Sequence, residues 1–128
     1  MSTYNHFYDL PVYKTCREFR KKVSLIVRNH FPKTEVFHLT AQALDSARSV
    51  TANLAEGFGR FHYQENIQFC RQSRGSLTET LEHMITAYDE KYISKEILAE
   101  INKDYEDSLK ELNGYIKYLK TAKAADSQ

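Results

Sequence analysis

Apolar residues recur along this chain at alternating four- and three-residue steps, the spacing that keeps side chains on one face of an α-helix. Val12, Cys16, Phe19, Val23 and Ile26 form the first such row. Asp9 stands where a side chain caps the unpaired amides of a helix start, and Pro11 fits the opening turn. Phe31-Pro32 ends the segment, because a residue before proline avoids the α region. Thr34 is placed to cap a second helix running to about Gly57, with Val36, Leu39 or Thr40, Ala43, Ala47, Val50 and Leu54 turned inward. Gly57-Phe58-Gly59 supplies a helix stop and a turn. A third helix, from about Tyr63 to Glu90, buries Tyr63, Ile67, Cys70, Leu77, Leu81, Met84 and Tyr88. Lys91-Tyr92-Ile93-Ser94 is a short connection with Ser94 as cap. The fourth helix carries Ile97, Ile101, Tyr105, Leu112, Ile116 and Leu119. No strand-like alternation of useful length occurs. Amphipathic helices joined by short connections predict an all-α fold, an antiparallel up-and-down four-helix bundle. The expected organisation is an N-terminal segment over 1–8, the bundle over 9–120 and a polar tail over 121–128.

Composition agrees with one globular domain. The chain has 128 residues, 41% hydrophobic and 27% charged, and its four glycines and two prolines are too few for the turns of a β-sandwich. No run approaches the ~20 apolar residues of a membrane span. Met1-Ser2-Thr3-Tyr4-Asn5 lacks the basic and apolar regions of a signal peptide, so the cytoplasm is the expected location and no membrane partner is expected. Cys16 and Cys70 both fall on apolar rows and read as small buried hydrophobes. Net charge is only +1, but residues 1–75 carry 11 Lys+Arg against 6 Asp+Glu, and residues 76–128 carry 7 against 11. That split permits a local basic surface, and it permits one copy's acidic half to meet another's basic half.

Several polar constellations are candidates for chemistry. On the second helix Gln42, Ser46, Ser49, Asn53, Glu56 and Arg60 share a stripe beside the core. On the third, Arg74 interrupts the apolar row, and Gly75 beside it offers room for a neighbouring helix. A buried arginine needs a partner, because an unpaired buried charge is costly. Glu56 is the expected partner, with Asn53 and Ser76 completing a cluster that is either a register-fixing network or a ligand pocket. Lys14, Arg17, Lys21 and Arg28 line the outer side of the first helix. Regularly placed cations neutralise backbone phosphates, and they equally serve as a solvated helix face. Phe58, Arg60, Phe61, His62 and Tyr63 interleave rings with positive or titratable groups, as single-stranded RNA binding requires. The same rings suit a plug at the bundle's end or a contact with another subunit. Lys103, Lys110, Lys117 and Lys120 share a side late in the fourth helix, where cations suit the helix dipole.

Enzyme signatures are incomplete. Glu35-x-x-His38 is half of a carboxylate-bridged di-metal motif without a second copy. Glu79 and His83 make a lone pair of potential ligands, short of a full set. Gly57-x-Gly59 follows a helix rather than a strand and is no dinucleotide loop. No catalytic residue, metal or cofactor is expected.

Three segments carry a resemblance. Leu39-Thr40-Ala41-Gln42, then Ser49-Val50-Thr51-Ala52-Asn53-Leu54-Ala55-Glu56-Gly57-Phe58-Gly59-Arg60, then Ser73-Arg74-Gly75-Ser76-Leu77-Thr78-Glu79 resemble the "four helix bundle protein" family. It is also called the 23S rRNA intervening-sequence protein family, and it is related to the accessory variability determinant of diversity-generating retroelements. Leu10-Pro11-Val12-Tyr13-Lys14 and the Phe31-Pro32 stop are similar too, so the likeness spans about residues 9–120. It implies a homopentameric ring of antiparallel bundles with no known catalytic activity. Retroelement relatives bind a reverse transcriptase and nucleic acid through basic surfaces; the function of most members is unknown. This chain departs from the pattern with Leu44 and Asp45 where arginines are usual, with Thr51 where proline is common, and with its low net charge. The expectation is a non-enzymatic, ring-forming bundle that associates with RNA or a ribonucleoprotein through Lys14, Arg17, Lys21, Arg28 and Arg60. The alternative is a protein-binding scaffold.

Overall fold

Helical periodicity is realised as four long helices in the computed structural model, which describes residues 4–126. They are Pro11–His30 (α1), Leu39–Gly59 (α2), Tyr63–Asp89 (α3) and Lys95–Asp126 (α4), with no strand among the described residues. Each helix packs on its neighbours in sequence, and α4 closes back on α1. α1 and α3 face each other across the diagonal, as do α2 and α4, with no Cα pair within 8 Å. Ser46, Ser49 and Val50 of α2 meet Thr80, Ser76 and Ser73 of α3 in falling order, so these helices run antiparallel. Arg74–Asn113 and Thr78–Tyr105 give the same sense between α3 and α4.

The interior is filled by Phe19, Val23, Val50, Leu54, Leu77, Met84, Ile101 and Leu112, none more than 1% exposed. Cys16 and Cys70 are buried beside them as free thiols. They sit on the diagonal pair, beyond the ~4.4–6.8 Å Cα separation of a disulfide. Ser108 is buried beside Cys16, its hydroxyl turned toward that thiol.

Local chemistry moves several boundaries from their expected places. Asp9 closes a 3₁₀ turn over Phe7–Asp9 and caps nothing; the N-cap of α1 is Leu10, with its side chain buried in the core. Phe31 does end α1, in extended conformation before Pro32. Thr34 lies inside a second 3₁₀ turn, Lys33–Glu35, so α2 starts at Leu39 and Val36 remains half-exposed. The cause is Glu35: its carboxylate accepts from Leu39 N (3.3 Å) and from the Tyr92 hydroxyl (2.6 Å). This holds the connection against the α3–α4 turn and substitutes for a helical first turn.

Gly57 and Gly59 remain helical, and the reversal comes at Arg60–His62 with Phe61 at φ 60°. In α3, Tyr88 is exposed and Tyr63 and Leu81 are half-buried, while Ser73, Thr80 and Ala87 take the inward positions. Small side chains win there because α2 lies close. α3 ends in a Schellman arrangement: Tyr92 N donates to Ala87 O and Lys91 N to Tyr88 O, with Lys91 at φ 67° where glycine is usual. Ser94 Oγ caps α4 through Ile97 N at 3.2 Å. α4 continues to Asp126, past the expected start of a tail at 121; residues 127–128 of that tail, and 1–3 of the N-terminal segment, lie outside the described residues.

Candidate nucleic-acid interface

α1 turns Val12, Cys16, Phe19 and Val23 into the core, so residues half a turn away must face outward. Lys14, Arg17, Lys21 and Arg28 are all exposed on that side, along ~21 Å of helix axis. Lys21 makes a loose contact with Glu18 (3.4 Å), while Lys14, Arg17 and Arg28 have no carboxylate partner among the described residues. Two further arginines join this face. Arg20 sits half-buried at the α1–α2 seam, donating to Thr51 Oγ1 at 2.8 Å, a neutral partner that leaves its charge in place. Arg48, on the exposed side of α2, has no ion pair among the described residues. A hollow of about 800 Å³ straddles α1, touching Arg20, Arg28 and Arg48 on one flank and Lys22, Asp104 and Asp107 on the other.

Arg60 stands apart from the α1 stripe. Its guanidinium contacts Glu56 (3.0 Å) and Glu65 (3.7 Å) and lies over the Phe69 ring, 5.1 Å from its centroid. Two carboxylates leave it little charge for a phosphate. Beside it Phe61 is 88% exposed and His62 is exposed, while Phe58 and Tyr63 are half-buried.

The four residues expected to form one polar network fall into three groups. Asn53 Nδ2 donates to Ser49 O and Oγ, both at 2.9 Å, and Ser76 Oγ donates to Ser49 Oγ at 2.9 Å, a chain across the α2–α3 seam. Glu56 pairs with Arg60 rather than Arg74. Arg74 reaches the other way, donating to Asn113 Oδ1 of α4 at 2.8 Å. The reason is geometric: Ser73 takes the inward place against Val50 O (2.7 Å), and one residue on, the helix has turned ~100° toward α4. Gly75 is exposed with open space around it, so it brings no helix close.

The sequence profile described as "23S rRNA-intervening sequence protein" matches residues 8–114, most of the chain and part of every helix. The chain belongs to this family. No curated protein matches it. No three His, Cys, Asp or Glu residues converge as metal ligands among the described residues. Glu35 is committed to Tyr92 and Leu39 N, which hold its carboxyl below the usual range, the phenol first. His83 contacts Glu79 at 3.1 Å as an isolated pair. No described helix is long and apolar enough to cross a membrane.

Two features of the family member were not read from its sequence. Arg20 was missed because it borders the apolar row of α1 rather than lying opposite it, and Arg48 because it is the lone cation of α2 and forms no row there. The second is a groove of about 1410 Å³ between the start of α1, the α2–α3 turn with Phe58, Phe61, His62 and Tyr63, and the later half of α4. Its signal was present: Glu96, Glu100, Asp104, Asp107 and Glu111 repeat at four- and three-residue steps and so share one side of α4. Lys22 of α1 answers two of them, 2.7 Å from Asp104 and 3.4 Å from Glu100. Those acids, Asp104 foremost, hold the Lys22 ammonium above its ordinary pKa.

Proposed function

We propose that this protein is a non-enzymatic, self-associating helical bundle that binds RNA, alone or within a ribonucleoprotein, through the cationic face of α1. The observation that carries the reading is the row Lys14, Arg17, Lys21 and Arg28, outward on one helix, of which Lys21 alone contacts a carboxylate among the described residues. Arg20 and Arg48 widen that row into a band along the α1–α2 seam. Cations at such spacing favour a flexible polyanion regardless of its sequence, because each phosphate contact releases bound counterions. The family's description, which refers to 23S rRNA, supports RNA as the polyanion. The protein acts in the cytoplasm, where ribosomal RNA is found.

Self-association completes the proposal. The resemblance to ring-forming bundles implies a homopentamer, which at 15.0 kDa per chain gives a particle of about 75 kDa. Phe37 (87% exposed), Phe61 (88%) and Val36 (50%) offer apolar surface at the bundle's ends for such contacts.

Lys14→Gln/Arg17→Gln/Lys21→Gln/Arg28→Gln, made together, tests the RNA face. All four side chains are exposed, so the helical spectrum and the light-scattering mass stay unchanged while retention of single-stranded RNA is lost. Undiminished retention would reject α1 as the binding surface.

A further inference from the structure

We infer that the groove between α1 and α4 binds an arginine- and lysine-rich peptide segment of a partner protein. The fold already makes one pairing of this kind. Glu100 and Asp104 lie one turn apart on α4 and hold the ammonium of Lys22 between them. Asp107 and Glu111 repeat that arrangement one heptad further along the same side of the helix. α1 runs antiparallel to α4, so the α1 residue seven before Lys22 meets this second pair. That residue is Thr15, whose hydroxyl donates back to Pro11 O at 3.2 Å. The second carboxylate pair therefore lacks the cation that the first one has, and among the described residues neither Asp107 nor Glu111 has a hydrogen bond or ion pair.

The walls around this pair suit the rest of a basic side chain. Leu10, Val12 and Leu119 are buried at its base. Tyr118, 46% exposed, stacks on Tyr115 along the same groove. Tyrosine faces attract guanidinium and ammonium groups, and the methylene stems of Arg and Lys pack on apolar surface. Gly114 adds no side chain, and even a Cβ there would meet nothing within 4 Å, so the groove is open between Tyr118 and Glu111. Lys110, on the lip, makes no ion pair with either carboxylate among the described residues.

Size and sign select the occupant. A volume of about 1410 Å³ exceeds the ~300–1,000 Å³ of ordinary small-ligand pockets, which fits an extended chain segment. Carboxylates repel a phosphate backbone, which excludes RNA here. The groove borders the cationic face of α1, sharing Thr15 and Asp107 with the hollow beside Arg20, Arg28 and Arg48, while Glu111 and the tyrosines lie in the groove alone.

Fluorescence anisotropy with a labelled twelve-residue peptide of alternating arginine and alanine tests the proposal on the full chain. Wild-type protein binds it, and a peptide with glutamine in place of arginine does not bind. Asp107→Asn/Glu111→Gln weakens binding by about tenfold or more, whereas Glu79→Gln, outside the groove, has no effect. Thr15→Lys supplies the missing cation from within the chain and also displaces the peptide. Equal peptide affinity in wild type, D107N/E111Q and T15K would overturn the inference. So would a fall in light-scattering mass on D107N/E111Q, which would make a second copy the occupant. Glu111→Gln alone, at a residue outside the hollow beside Arg20 and Arg48, weakens peptide binding while RNA retention stays at the wild-type level, so failure of the groove and failure of the RNA face give different results.

Discussion

Cys16 and Cys70 show how far a side chain's chemistry is set by where its helix face points. Burial pushes both thiols up to about 12 from an ordinary 9.0. The unfolded chain ionises them near 9, so the folded state's advantage is complete below that pH. It is lost as pH rises toward 12, at roughly 1.4 kcal/mol per pH unit for each thiol. Native protein at pH 8 should accordingly react with a thiol reagent only at its unfolding rate, and both cysteines should react at once in denaturant. Immediate reaction of either thiol in native protein would contradict its burial. Glu35 has the opposite sign. The Tyr92 hydroxyl holds its carboxyl below 4.5, so the contact stabilises the fold above that pH and is lost as pH falls through the lowered value. Tyr92→Phe should lower the melting temperature at neutral pH, and the difference from wild type should shrink on acidification. A difference independent of pH would show that the ring's packing, not its hydroxyl, matters. Neither role was legible in the sequence, because Glu35 and Tyr92 are 57 residues apart and meet only once the bundle closes.

At the scale of the helix, the apolar rows of α1 and α4 were readable because large side chains dominate them. Val12, Cys16, Phe19, Val23 and Ile26 are all buried, as their spacing required. α2 and α3 were harder. Their seam is built from Ser46, Ser49, Gly57, Ser73, Ser76 and Thr80, which periodicity counts as polar although several are fully buried. Hydroxyls satisfied by a facing helix allow close approach, and no hydrophobic pattern marks them. The glycines separate the two readings. A Cβ at Gly57 would stand 2.6 Å from Asn66 Oδ1 and 2.9 Å from Phe69 Cβ, while one at Gly75 meets nothing within 4 Å. Gly57→Ala should destabilise the protein by ~1–3 kcal/mol through overpacking. Gly75→Ala, on an exposed helix position, should stabilise it by up to ~1 kcal/mol through helix propensity. Chemical denaturation of the two variants measures both signs. Equal effects would mean that the seam is not close-packed at Gly57.

The whole molecule presents faces of different chemistry. The α1–α2 side is cationic, the α2–α3 seam holds the serine chain, and the α1–α4 side carries acids around a groove. The sequence showed the charge split between halves, but chain order does not say which helices become neighbours. Closure of α4 onto α1 sets an acidic row directly beside a basic one, and Lys22 is where they join. Arg60, at the end of α2, is instead engaged by Glu56, Glu65 and the Phe69 ring. Contact between α1 and phosphates is read from the salt dependence of RNA affinity. For single strands each neutralised phosphate contributes roughly −0.7 to the slope of log affinity against log salt. Wild-type protein, with Arg20 and Arg48 beside those four cations, should therefore bind with a slope of about −3 to −4, and the Lys14, Arg17, Lys21 and Arg28 glutamine variant far more weakly, with a slope of about −1.4 or shallower. The same slope and affinity in both proteins would contradict the account.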